Sequence, residues 1–407
     1  TFAEGGAVEG DPSTYGNAMG AYLTMASAGG LIFGVINIVG NFGTVFVDQA
    51  YWQRAIAAQP SSTVKGFLLG GMCWFAIPFT LATTMGLTAV AIDVELSPEQ
   101  VQLGLVVPAA ASVLMGEIGA IMVLVMLFMA VTSAGSAELI AVSSLITYDV
   151  YRTYKNPQAT GKQLLKVSRG VIVAFGLGMG ALAVVLLGMG LSLGFVYLAM
   201  GILIGSAVIP IALTIIWNRT TRAGAVAGAL IGVCLSLTTW TSVAASEANG
   251  VIDIASLGGA FPMLYGNVVA ILSSGLICIV ISLAQNKKYD WKELDQHMSL
   301  VTDDMEQHEI TATEVAKREQ DEEQLKKAFK FSVRGGGLLT LVVIIFWPMP
   351  LYFSGYVFDF GFYGLWVGIA IAWVSAAAAI IIFMPIVEAR KGFAEVFSGK
   401  KHASSTK

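Results

Sequence analysis

Long apolar runs alternate with short polar stretches along most of this chain. Nine runs stand out, at 20–49, 66–92, 115–148, 168–189, 192–217, 223–244, 264–284, 335–354 and 361–387. Each reaches the ~20 residues that a helix needs to cross the hydrocarbon of a bilayer. The runs are too long and too uniformly apolar for barrel strands. Open strands would leave backbone groups unpaired in lipid. The pattern predicts an all-α polytopic membrane protein whose solvent is the lipid bilayer. One shorter element is also legible. Ser97 stands at a cap position with Pro98 at the first helical position, so a short outer helix is expected before the third run.

Composition strengthens this picture, and charge orients it. The chain is 56% hydrophobic and 12% charged, whereas a soluble domain is about one quarter charged. All 23 Lys and Arg fall in one alternate set of loops: Arg54 and Lys65, Arg152 to Arg169, Arg219 and Arg222, Lys287 to Arg334, and Arg390 to Lys407. The other loops carry acids such as Glu4, Asp11, Asp93, Glu95, Glu247 and Asp253. Basic residues mark cytoplasmic loops, so the N-terminus is expected outside and the C-terminus in the cytoplasm. Residues 1–19 then form an extracellular loop, 285–334 a charged cytoplasmic loop and 388–407 a cytoplasmic tail. The chain opens at Thr1 in mid-loop, and helices upstream of it are expected.

Within 285–334, Thr311 and Glu314 have capping-box spacing. They predict a helix to about Phe329 with a narrow stripe of Val315, Leu325, Ala328 and Phe329. A solvated helix leading into the next span is the simpler reading, and partner docking is the alternative. Cys73, Cys234 and Cys278 lie in apolar runs and read as small core residues. His297, His308 and His402 show no ligand spacing, so no metal is expected. Gly176, Gly178, Gly180, Gly188 and Gly190 sit in apolar context with no strand before them. They read as sites of close helix packing and not as a phosphate loop. No cofactor and no nucleic-acid partner is expected.

Two spans depart from uniform hydrophobicity. In the first, Asn37, Asn41, Thr44 and Asp48 fall at i, i+4, i+7 and i+11, one helical stripe. Gly34, Gly40 and Gly43 interrupt the same segment. Glycine weakens a helix by ~1 kcal/mol per site, so a broken helix is expected there. Secondary transporters bind their solutes at such breaks. In the third span, Ala130, Ser133, Ala134, Ala137, Glu138 and Ala141 share a face. A carboxylate within the membrane costs about 2.5–3.5 kcal/mol even on insertion scales.

An acid kept from water favours its neutral form and can take up and release a proton. The alternative, a structural partner for a basic side chain, finds no Lys or Arg in mid-membrane in this sequence. Asp149, beside Tyr151 and Arg152, reads as a boundary residue. No Ser-His-Asp, Cys-His or paired-carboxylate arrangement suggests an enzyme. Asp48 and Glu138 are far apart in sequence, and nothing in it places them face to face.

The stretches "NFGTVFVDQAYWQRAIAAQP", "TSAGSAELIAVSSLITYDVYR", "GSAVIPIA" and "FPMLYGN" resemble the active urea transporters, the urea/proton symporter branch of the solute:sodium symporter superfamily. The resemblance implies a core of two five-helix inverted repeats. Residues 20–217 would be the second repeat, 218–284 and 335–387 two pairs of peripheral spans, and the first repeat would be absent. It also implies a substrate contact at Asn41, an inner gate at Thr44 beside it, and Asn37 further along the stripe.

The family's sodium site uses one carbonyl and two hydroxyls, which match Ala130, Ser133 and Ala134. Ala134 has no hydroxyl, so the resemblance points to H+ as the coupling ion, with Na+ as the alternative. Urea is small, planar and neutral, and Asn41 and Thr44 offer groups to pair with it. Tyr197 and Trp74 are candidate walls. The expected function is secondary active urea transport driven by protons through alternating access. Two alternatives stand: a sodium-coupled carrier of another small solute, and a transporter-like membrane sensor. The charged loop is too short for a kinase, which weighs against a sensor. A channel fits a one-sided buried acid least.

Overall fold

The computed structural model describes residues 16–58, 60–290, 323 and 325–397, and this region is helical apart from short connections. Among the described residues, nine helices are long and apolar enough to cross a membrane. In chain order the elements are α1 (Ala28–Val47), α2 (Gln49–Ala57), α3 (Pro60–Trp74), α4 (Thr83–Ala91), α5 (Pro98–Gln102), α6 (Val106–Ser144), α7 (Gly161–Gly188), α8 (Leu193–Ile204), α9 (Val208–Ile216), α10 (Arg222–Glu247), α11 (Ile254–Leu257), α12 (Ala260–Gln285), α13 (Gly337–Thr340), α14 (Pro348–Ser354) and α15 (Phe360–Phe397). Wide π-type turns join α3 to α4 around Pro78 and extend α6 through Leu145–Lys155.

Every expected span is present, with two revisions at its edges. The first begins at Ala28 and not near residue 20. Residues 23–27 lie instead against the loop before α15. Thr24 Oγ1 donates to the Tyr356 carbonyl at 2.8 Å and Phe358 N–H donates to the Leu23 carbonyl at 2.8 Å. Ser27 then caps α1 by accepting from Gly30 N–H at 3.1 Å. The third helix starts earlier than expected, at Val106, and bends at Gly116, whose φ of 62° suits only glycine. The short helix expected at Ser97–Pro98 is present as α5, with Ser97 and Gln100 closing a capping box over it. The expected capping box at Thr311 and Glu314 lies outside the described residues.

The packed centre is formed by α1, α8, α9, α10 and α12. Ile36, Ala199, Ile202 and Met263 are buried together, flanked by Phe195, Leu237 and Trp240. Gly224, Gly228 and Gly232 place α10 directly on α12, where added Cβ atoms would strike Cys278, Ser274 or Ser282. Ser236 Oγ donates within this core and lies 3.1 Å from the Ile202 carbonyl and 2.9 Å from the Gly266 carbonyl, a polar tie between helices.

The helix pair α6 and α7 is different. Their apolar windows are 6% and 0% buried, against 39% for the α8–α9 span and 33% for α12. Gly178, Gly180, Gly188 and Gly190 meet no neighbour within 4 Å among the described residues, and Gly176 touches only Leu139. The expected close packing at these glycines is therefore corrected. Close approach is made by the glycines of α1, α8 and α10, where a partner helix comes near. Elsewhere, Phe75 and Phe79 pack edge-on or tilted against Trp347, Trp366 and Trp373. That aromatic cluster docks the α3–α4 span on α15.

Candidate transport site

The first candidate stripe runs along α1, which is continuous from Ala28 to Val47. The expected break at Gly40 and Gly43 is not there. These glycines are buried against α8: Gly40 backbone would lie 3.1 Å from a Cβ on Gly201, and a Cβ on Gly43 would reach Ile204 at 2.9 Å. Small residues were needed for this helix contact, and the helix keeps its own hydrogen bonds. The chain breaks one residue beyond the helix, at Asp48 (φ −74°, ψ 116°). Asp48 N–H donates to the Thr44 carbonyl at 3.0 Å and closes α1. Its carboxylate accepts from Ala50 N–H at 2.7 Å and opens α2.

The stripe divides in two. Asn37 Nδ2 donates to the Phe33 carbonyl at 2.8 Å, folding back on its own helix. Asn41 is exposed. Thr44 Oγ1 donates to the Gly40 carbonyl at 3.1 Å and lies 3.5 Å from Met200 Sδ. Thr44 and Asp48 line a cleft of ≈ 290 Å³ with Gln49, Glu138, Met200 and Ile204, whereas Asn37 and Asn41 lie outside it. A larger cavity of ≈ 370 Å³ lies between α4, α15 and the 22–25 segment, and it contains no candidate residue. Trp74 and Tyr197, expected as walls, are 64% and 40% exposed and line neither cavity.

The second candidate stretch also divides. Ala130, Ser133 and Ala134 are exposed on α6. Ala137 and Ala141 are buried with Ala50, so the small residues nearest Glu138 seat α2 on α6. Gln53 Nε2 reaches the Ala141 carbonyl at 3.5 Å and adds to this contact. Glu138 lines the cleft together with Asp48, so the two carboxyl groups stand close to each other, with the Arg54 guanidinium nearby. The two acids therefore do stand face to face, although the sequence showed no reason to pair them. A hydrogen bond between two carboxyl groups requires a proton on one of them, because ionised carboxylates only accept. Asp149 is exposed in the turn after α6, as a boundary residue would be.

Sequence reasoning missed Asp48 as a partner of Glu138. The available signal was positional: Asp48 ends the first span and Glu138 lies within two turns of the end of α6.

Comparison with known proteins fits this geometry. The sodium:solute symporter family model matches residues 11–232, more than half of the chain. This chain belongs to the sodium:solute symporter family. It is thus a member of a transporter family and not an enzyme. It is 48% identical to the urea-proton symporter DUR3 of Oryza sativa subsp. japonica over 94% of its length and 52% of that protein's. It is 39% identical to probable urea active transporter 1 of Schizosaccharomyces pombe, over 94% of this chain and 58% of the relative. For the urea active transporter of Saccharomyces cerevisiae the figures are 34%, 94% and 61%. The chain thus spans about half the length of these curated relatives. No solved structure matches it.

Proposed function

We propose that this chain forms part of a secondary active urea transporter that uses a proton gradient and alternating access. The observation that carries the reading is the 48% identity to a urea-proton symporter across 94% of the chain. The cleft supports that reading, since Asp48 and Glu138 line it together with Thr44, at the foot of the Asn37–Asn41–Thr44 stripe. Asn41 and Thr44 supply hydrogen-bonding groups to urea, Asn37 extends the polar stripe, and Glu138 carries the proton. Residues 20–217 form the second repeat of a five-plus-five core, and the remaining spans are peripheral.

The exposed faces of Asn41 and of Ala130, Ser133 and Ala134 are those that further helices of a longer parent would cover. Loops rich in Lys and Arg face the cytoplasm of the cell membrane. Cysteine at Glu247 should then react with an impermeant maleimide in intact cells, while cysteine at Lys287 should not; the reverse labelling contradicts the orientation.

Sodium-coupled carriage of another small solute is the second reading, favoured by the family's name and by the hydroxyl of Ser133. Uptake of labelled urea by the full-length parent, at varied pH and varied sodium, separates the two. Proton-dependent, sodium-independent accumulation supports the first. Sodium dependence, or the absence of urea uptake, overturns it.

A further inference from the structure

We propose that Asp48 is a positioning residue that ties the proton on Glu138 to the junction between α1 and α2; the proposal rests on the proton-coupled reading above. The junction lies on a seam between two packing units. α1 packs on α8 and α12, whereas α2 packs on α6. Ala50, Ala137 and Ala141 hold α2 to α6, and Trp52 Nε1 donates to the Phe46 carbonyl at 3.0 Å across the junction. Asp48 is the single non-helical residue between the two helices. Its carboxyl group accepts from Ala50 N–H at its own helix start and faces the Glu138 carboxyl of α6 in the cleft.

These two contacts respond differently to a proton. The cap bond to Ala50 is favoured by an ionised carboxylate at a helix N-terminus. A bond to Glu138 can exist only while one acid holds a proton. When that proton passes to water at the cleft mouth, two anions face each other and repel. Charged groups around the pair do not cancel this symmetrically. Arg54, on α2, is the basic group that faces Glu138. α8 presents Met200 and Ile204, α1 presents Thr44 and Val47, and α6 itself adds Ala141, Val142 and Leu145, none of them charged. Proton release therefore detaches the end of α1 from α6 while α2 remains seated through its alanines. α1 carries Asn41 and Thr44, so the proton state of Glu138 reaches the proposed solute stripe through one residue.

The test uses the full-length parent in proteoliposomes. Asp48→Asn keeps the cap, since Asn caps a helix as well as Asp, but removes the exchangeable acid. The expected result is loss of urea accumulation driven by a pH gradient, with urea exchange retained. A wild-type pH profile in Asp48→Asn overturns the proposal and leaves Asp48 a helix cap. A second arm does not depend on the solute. Cysteine at Val142, in the cleft wall, is labelled with a small thiol reagent at rising pH, relative to cysteine at exposed Tyr154. In the wild-type background the relative rate should rise with pH as the cleft opens, and in Asp48→Asn it should stay flat. Equal profiles overturn the proposal. Should Asp48→Asn not reach the membrane, Glu138→Gln in the labelling arm decides it: a retained rise overturns it. Failure of the wild type to take up urea, with the labelling difference intact, would count against the urea reading and not against this junction.

Discussion

The α6–α7 pair is at least as apolar in sequence as the α8–α10–α12 group, yet only the second is sealed. In the sealed group, glycines stand where a partner helix comes close, and on α10 the groups they meet are small. Gly224, Gly228 and Gly232 meet Ser282, Cys278 and Ser274, and Gly201 meets Gly40. Asn267 is fully buried there and donates to the carbonyls of Leu198 and Met263, at 3.0 and 2.8 Å. In the α6–α7 pair, Gly178, Gly180, Gly188 and Gly190 face open space among the described residues and the apolar windows are almost unburied. The difference teaches that glycine content alone does not locate a helix contact; a partner helix that approaches the glycine does. It also places the acid pair. Asp48 and Glu138 stand where the sealed group meets the open pair, so a change in their contact acts on the seam between them.

The largest expected effect tests the sealed side. Gly201→Ala would push a Cβ onto Asn267 Oδ1 and within 3.1 Å of the Gly40 backbone. Overpacking typically costs ~1–3 kcal/mol, and backbone on the opposing side leaves little room to relax. Melting of the detergent-purified parent should fall clearly. Gly178→Ala on α7 should be neutral or stabilising by up to ~1 kcal/mol, since alanine favours the helix and nothing opposes it. Equal losses at both positions would erase the comparison.

A smaller effect is expected on the solute stripe. Asn41→Ala removes hydrogen-bonding groups worth about 1–3 kcal/mol, so the parent's apparent affinity for urea should fall about 5–150-fold, with surface expression retained. Unchanged uptake kinetics would reduce Asn41 to an exposed helix residue.

The spans were legible because twenty apolar residues in a row have few alternatives in lipid. Their contacts were not. Gly40 and Gly43 looked like helix breakers, since a glycine's role depends on whether a partner helix approaches, which one chain segment cannot reveal. Residues 20–27 looked like the start of a span because their polar backbone partners, Tyr356 and Phe358, lie in a distant loop. Glu138 was recognisable as a group out of place, but its partner was not. Asp48 read as the last member of a stripe, and its turn toward α6 follows from the chain break after Val47. The small residues around Glu138 leave room for a ligand, an ion or another backbone, and at Ala137 and Ala141 that room is filled by Ala50 of α2.

The smallest effect is a control outside the membrane. Hydrogen bonds from Ser256 hold the Asp253 carboxyl below the usual carboxylate range, and this group is fully exposed. A lowered value means that the cap on α11 is complete at neutral pH and is lost as pH falls through that lowered value. Asp253→Ala should speed amide hydrogen exchange at Ser256, and Asp253→Asn should keep the protection while removing its pH dependence. Neither should alter urea uptake. A change in uptake would show that the α10–α12 loop takes part in transport.

The most direct test of proton coupling is urea accumulation by the full-length parent carrying Glu138→Gln, under an imposed pH gradient. Gln keeps the shape and the hydrogen-bonding reach toward Asp48 but cannot carry the proton across. The account predicts that concentrative uptake disappears while exchange of labelled for unlabelled urea continues. Accumulation against the gradient with the wild-type pH dependence would contradict it, and would return Glu138 to a structural role beside Asp48.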